Sequence, residues 1–222
     1  MFSIEKISNN LAFKIASLLK LDKDNKEIIA YGAFSFFQTL WAILFVIIFG
    51  LIFGVLIEAL ILSFTASFLR KYSGGAHASS PNICALIGAI AFCVLGIIIN
   101  QTSPLLTIKL AALTGLVCFI FSYYIVSKLA PVDSPSKPIV KEKTKQRLKK
   151  SSLLVLHDLI IIVIALFGLY YKLEDKILLI SAQCICVGAA WQSLTLTSFG
   201  HSLMTSIDTF FKNIATFFGG EN

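Results

Sequence analysis

The feature that most constrains this 222-residue chain is a series of apolar runs too long for a water-soluble core. Between positions 34 and 69 only Glu58 carries a charge, and four further apolar runs follow. Charged residues make up 14% of the chain, whereas a soluble domain has about 25%. This pattern excludes a soluble globular enzyme, a disordered chain and a small secreted disulfide scaffold.

The apolar runs predict an all-α integral membrane protein with about six membrane-embedded helices in a single domain, residues 1–222. One helix over 34–69 would be about 54 Å long at its usual rise, whereas the hydrocarbon core of a bilayer is about 30 Å thick. This segment is therefore predicted to be a helical hairpin that turns near Gly50 to Gly54, as two short spans or as a re-entrant pair. The other predicted membrane helices cover 83–99, 105–126, 153–171 and 177–196.

Positive charge predicts the orientation. With both termini in the cytoplasm, sixteen of the nineteen lysines and arginines lie on the inner side. Residues 1–29 have apolar positions at three- and four-residue steps and predict an amphipathic helix, either in the membrane interface or packed on the protein's own cytoplasmic face. Residues 127–152 are predicted to be a basic cytoplasmic loop. The cytoplasmic tail, 197–222, contains a second amphipathic candidate over 206–218.

The polar segment 70–82, on the inner side between two predicted membrane helices, carries the residue types of a thiol nucleophile site. Pro81 forbids a continuous helix through it, and Ser80 followed by Pro81 is a favourable helix start. Cys84 then falls in the first turn of the next helix, whose positive end favours a thiolate. His77 lies in the loop before that helix and can fold back over the thiol.

Neighbouring residues have roles that the sequence leaves open. Gly74 and Gly75 can offer backbone N–H groups to an oxyanion or can simply shape the loop. Arg70 can hold a substrate carboxylate or stabilise the loop. The ordinary alternatives are a surface histidine, a cysteine that only packs, and a glycine pair that only turns. The five cysteines show no CxxC spacing and there is no paired histidine, so neither a disulfide framework nor a metal site is expected, and no cofactor.

At this segment the chain resembles the accessory gene regulator protein B family, integral-membrane peptidases of Gram-positive quorum sensing. The resemblance extends from about residue 28 to residue 196. It rests on residue types and spacings, namely Arg70, Gly74-Gly75-Ala76-His77 and Cys84, then Ala130-Pro131-Val132, Lys137-Pro138-Ile139 and the basic run to Lys150.

The resemblance implies that Cys84 is the nucleophile and His77 the general base of a cysteine endopeptidase. Such an enzyme cleaves a small precursor peptide at the C-terminal side of the signal segment, which stays on Cys84 as a thioester. An internal Cys or Ser of the precursor then closes a thiolactone or lactone. The resemblance also implies a homodimer in the cell membrane of a Gram-positive bacterium, with the precursor peptide and membrane lipid as partners and no nucleic acid.

The basic loop has two readings. The resemblance implies a precursor with an acidic C-terminal tail, which this loop can dock through Lys141, Lys143, Lys145, Arg147, Lys149 and Lys150. The other reading is the ordinary inner-side charge bias together with binding of anionic lipid. Two further functions stay open: a small transporter or peptide exporter, for which the intramembrane Glu58 is the best sign, and a scaffold that anchors a sensor kinase.

Overall fold

The structure, a computed structural model, describes residues 4–76, 78, 80–133, 139 and 141–219, with side chains to residue 213. These residues form helices and no strand, apart from an isolated β-bridge between Gly74 and Val132. A 3-10 turn covers Ser103–Leu105. The α-helices are α1 (Ile4–Leu19), α2 (Lys23–Ile52), α3 (Leu56–Ser73), α4 (Pro81–Thr102), α5 (Ile108–Leu129), α6 (Glu142–Leu173), α7 (Lys176–Leu194) and α8 (Ser198–Gly219).

Five of the described helices are long and apolar enough to cross a membrane: α2, α4, α5, α6 and α7. The predicted all-α membrane architecture is therefore confirmed. The second arm of the predicted hairpin, α3, is not among the five, because its 18 residues include the charged Glu58, Arg70 and Lys71.

Residues 1–45 form one compact unit and residues 46–222 a second. In the first unit the N-terminal helix is shorter than the predicted 1–29, because α1 ends at Leu19 and a new helix begins at Lys23. The Leu21 N–H donates to the Ala16 carbonyl at 2.9 Å, and Asp22 accepts from the Asn25 N–H at 3.0 Å. Asp22 is thus placed to cap a new helix, so α2 begins at Lys23, well before the apolar run that marked its predicted start.

The large apolar residues of α1 are exposed, whereas the residues buried in this helix are small. Burial involves Ser8, Ala12 and Ala16. The exposed side chains include Ile7, Leu11, Leu18 and Leu19.

In the second unit α2 ends at Ile52 and α3 begins at Leu56, so the helix break lies where the sequence predicts a turn. The Val55 N–H donates to the Gly50 carbonyl at 2.9 Å, and Gly54 has a φ of 67°. A Cβ on Gly50 would lie 2.9 Å from the Leu56 Cα. At this turn, the end of α2 and the start of α3 can approach this closely only because Gly50 has no side chain.

The centre of the second unit is α7, against which α3, α4, α5 and α6 pack. Cys184 contacts the cluster of Leu62 and Ile99, whereas Cys186 contacts the cluster of Val126 and Leu156. The two cysteines point to different faces, as their spacing predicts, and both are buried because α7 is enclosed on both sides. The cysteines of the described chain are all free.

Glycine allows a close approach where α7 crosses α3. A Cβ on Gly188 would lie 3.1 Å from both the Leu62 carbonyl oxygen and the Thr65 Cβ. Small residues at such crossings let helix backbones approach, which is the main source of helix association in a membrane.

We predict that Gly188→Val destabilises the protein by about 1–3 kcal/mol, the usual cost of overpacking. The matched control is Gly168→Val on α6, because a Cβ on Gly168 meets nothing within 4 Å. Thermal unfolding in detergent micelles, followed by tryptophan fluorescence, measures both. A Gly188→Val melting temperature equal to that of Gly168→Val would contradict the packing described here.

Candidate active site

The segment after α3 takes a backbone conformation that only glycine adopts easily. Gly74 has a φ of 69° and Gly75 a φ of 138°. The Gly74 N–H donates to the Arg70 carbonyl at 2.9 Å and closes the last turn of α3. Left-handed and neighbouring conformations are strained for residues with a Cβ, so the glycine pair sets the direction in which the chain leaves α3.

Two neighbouring segments bind the backbone of this loop. The Val132 N–H, from the connection between α5 and α6, donates to the Ser73 carbonyl at 2.9 Å. The Ala76 N–H donates to the Thr195 carbonyl at the end of α7, at 3.2 Å. A Cβ on Gly74 would lie 1.8 Å from the Val132 carbonyl oxygen. The loop is therefore held between the end of α7 and the α5–α6 connection.

A buried glutamine on α7 completes this arrangement. The Gln192 side chain is 1% exposed. Its Nε2 donates to the Gly74 carbonyl at 2.7 Å and to the Ser73 Oγ at 3.1 Å. Sequence reasoning missed Gln192, although a glutamine in an apolar membrane helix is itself a signal, since such residues are rare unless they bind something.

Cys84 lies in the first turns of α4, which begins at Pro81 as the sequence predicts. Its N–H donates to the Ser80 carbonyl at 2.9 Å and so makes one of the first bonds of the helix. The side chain is half-buried. It belongs to what we call the Cys84 cluster, the apolar group of Ala76, Ala78, Ile83, Cys84, Ile87, Met204, Ile207 and Phe211.

His77 and Ser79 lie outside the described residues. The residues on either side of position 77 are described, and both Ala76 and Ala78 belong to the Cys84 cluster. The structure thus places the two neighbours of the predicted base and the predicted nucleophile in one cluster, together with Met204, Ile207 and Phe211 of α8.

Arg70 connects the end of α3 to the same loop. Its guanidinium donates to the Ala76 carbonyl. Burial lowers the pKa of Arg70 from its ordinary value, and the charge of a Cys84 thiolate acts in the opposite direction. Because arginine stays protonated at physiological pH, Arg70 keeps a positive charge near the Cys84 sulfur while it fixes the loop.

The glycines shape the loop, which is one of the two roles that the sequence left open for them. The Gly74 N–H is engaged with the Arg70 carbonyl, and the Gly74 carbonyl with Gln192. The Gly74 N–H is therefore not directed at an oxyanion. A Cβ on Gly75 would lie 2.8 Å from the Thr195 Oγ1, so this position also needs its close approach to α7.

Most of the predicted basic docking residues lie on a helix and not on a loop. α6 begins at Glu142, immediately after its N-cap Lys141. Its first turns carry the exposed Lys143, Lys145, Arg147 and Lys150 and the half-buried Lys149. Residues 134–138 and 140, which include Lys137 and Pro138, lie outside the described part of the chain.

Three further polar residues, which lie outside the loop, have ordinary structural surroundings. Glu58 accepts from the Asn100 Nδ2 at 2.8 Å, and His157 Nδ1 lies 2.8 Å from the Leu153 carbonyl. His201 is exposed on α8. Within the described residues, no group of three or more metal-ligating side chains occurs.

A family model and two relatives of known sequence all indicate the same family. The model of the family Accessory gene regulator B matches residues 4–196. An AgrB-like protein of Clostridium perfringens strain SM101 is 43% identical over 208 residues, which is 93% of this chain and 97% of the relative. A second AgrB-like protein, from C. perfringens strain 13, is 44% identical over the same length and the same shares of both chains. No solved structure matches the chain significantly.

We predict that Gly74→Ala destabilises the loop more than Gly54→Ala does. Both glycines have a φ near 70°, which is strained for a residue with a Cβ, and Gly74 also has a ψ of −150°, a combination that is essentially restricted to glycine. Only at Gly74 does the new Cβ collide with a backbone oxygen, whereas Gly54 faces open space. The difference in unfolding free energy should be about 1–3 kcal/mol, measured in micelles. Equal losses would show that Val132 does not pack on Gly74.

Proposed function

Because the chain belongs to the accessory gene regulator B family, we propose that it is a membrane cysteine endopeptidase that cleaves and cyclises a quorum-sensing precursor peptide. The observation that carries this proposal is the placement of Cys84. It lies in the first turns of α4, near the charge of Arg70, in one cluster with the two neighbours of His77. A helix N-terminus and a nearby cation are the surroundings that favour a reactive thiolate.

In the first step, His77 takes the proton of the Cys84 thiol, and the sulfur attacks the carbonyl carbon at the C-terminal end of the signal segment. The C–N bond breaks, and the imidazolium gives its proton to the departing amine. The C-terminal part of the precursor leaves with a new amino terminus. The signal segment remains as a thioester on Cys84.

In the second step, an internal Cys or Ser of the precursor loses its proton to His77 and attacks the thioester carbonyl. The Cys84 sulfur leaves and regains a proton, and the ring closes as a thiolactone or lactone. Exchange of one thioester for another is nearly isoenergetic, whereas hydrolysis is downhill, so water must be kept away from the intermediate. The apolar Cys84 cluster, covered by α8, supports this requirement.

The proposal also includes the setting of the enzyme. The chain acts in the cell membrane of a Gram-positive bacterium, with both termini in the cytoplasm and as a homodimer. The exposed basic residues at the start of α6 support docking of an acidic precursor tail on the cytoplasmic side. Attraction between exposed charges is modest, so docking aids substrate capture and not the chemical step.

The pairing of His77 with Cys84 is tested by alkylation of the detergent-solubilised protein with iodoacetamide at pH 7. Mass spectrometry measures the extent of alkylation at each of the five cysteines. Cys84 should react fastest, and His77→Ala should slow its alkylation by about a hundredfold, the lower end of the range for loss of a general base. The matched control is His157→Ala, because His157 contacts Leu153 on its own helix, α6, and Tyr123 on α5. Indifference of Cys84 to His77 would contradict the pairing and favour the transporter.

If the basic residues of α6 dock the acidic tail of the precursor, reversing their charge should weaken substrate binding only when that tail is acidic. Lys143→Glu with Arg147→Glu should raise the KM for a precursor with an acidic tail by about fivefold, as two lost exposed ion pairs would. The same variant should leave the KM unchanged for a precursor whose tail acids are replaced by amides. Lys109→Glu with Lys172→Glu, at exposed positions elsewhere, is the control. A KM that rises equally for both tails would overturn docking.

A further inference from the structure

The last helix, α8, begins beyond the last residue matched by the family model. It has a buried stripe at four-residue spacing, formed by Gly200, Met204 and Asp208. Two members of this stripe are small or apolar, as expected for a packed face. The third is the single acidic residue of the helix.

Asp208 is 7% exposed, and the burial of a carboxylate has a large free-energy cost unless polar partners compensate for it. Lys212, one turn later, places its Nζ 3.1 Å from the Asp208 Oδ2, but its own side chain is 53% exposed. Because Lys212 stays this exposed, its ion pair with Asp208 could form equally well at the surface and does not explain why Asp208 is buried. The position of Asp208 therefore points to a role towards the interior of the protein.

The interior face of α8 lies over the proposed catalytic loop. Met204, one turn before Asp208, packs with Ala76 in the Cys84 cluster, and Ile207 and Phe211 contact the same cluster. Ala78 also belongs to it. The two residues that flank position 77 thus belong to the same cluster as Met204, Ile207 and Phe211, the α8 residues around Asp208.

We propose that Asp208 is a positioning residue that accepts a hydrogen bond from the His77 imidazole. Such a bond fixes the tautomer in which the other ring nitrogen faces the thiol, and it stabilises the imidazolium that forms when the thiol loses its proton. Asp208 keeps its own charge throughout and forms no bond to substrate. This inference rests on the proposed function, because it requires His77 to act on Cys84.

The test measures the rate of Cys84 alkylation by iodoacetamide at pH 7 in the full chain. Asp208→Asn keeps the shape of the side chain and should slow alkylation by about tenfold, as loss of a group that orients an imidazole does in other sites. Asp208→Glu restores the carboxylate and should recover most of the rate. Lys212→Met removes the ion pair with Asp208 and should leave the rate unchanged.

A double variant separates positioning from a general effect on folding. In a His77→Ala background, Asp208→Asn should cause no further loss, because a residue that acts through His77 has nothing left to orient. Thermal unfolding of each variant verifies that it is folded.

The possible outcomes are distinct. Equal losses for Asp208→Asn and Lys212→Met, or losses that multiply in the double variant, would show that Asp208 only anchors α8 and would overturn the inference. An effect of His77→Ala with none of Asp208→Asn would overturn the inference and leave the proposed function standing. No effect of His77→Ala would overturn both.

Discussion

The structure depends on how a polar, non-helical segment is held between the end of α3, at Ser73, and the start of the membrane helix α4, at Pro81. Backbone N–H and C=O groups near hydrocarbon must be bonded within the protein. Here the Gln192 amide, the Thr195 carbonyl and the Val132 N–H bond the backbone of residues 73–76. Since these partners come from α7 and from the α5–α6 connection, the loop exists only when those helices are assembled.

This constraint places the proposed chemistry beside an apolar cluster. The loop leads from Arg70 to Pro81, where α4 begins and carries Cys84 in its first turns. α8 covers the same place with Met204, Ile207 and Phe211. One charged guanidinium is held at the loop by the Ala76 carbonyl. A thiol in this setting combines a positive environment with an apolar cover, as an acyl-thioester intermediate requires.

Sequence reasoning succeeded where the signal is local and failed where it is tertiary. Pro81 predicts the start of α4 by its missing N–H, and the glycines near position 54 predict the helix break between α2 and α3. The start of α2 at Lys23 was missed because a polar cap, Asp22, overrides the hydropathy pattern. The burial of Gln192 and Asp208 could not be predicted, because it depends on which helices enclose them. The part that Gly74 plays in shaping the loop could not be predicted, because its partners, Val132 and Gln192, come from distant parts of the chain.

The most direct test of the central claim is to trap the acyl-enzyme. A synthetic precursor whose internal Cys or Ser is replaced by Ala can be cleaved but cannot close the ring. The account predicts that intact-protein mass spectrometry finds the signal segment attached through a thioester to Cys84, and that Cys84→Ala and His77→Ala abolish the adduct. Cleavage without an adduct, an adduct on any other cysteine, or an intact precursor would contradict it.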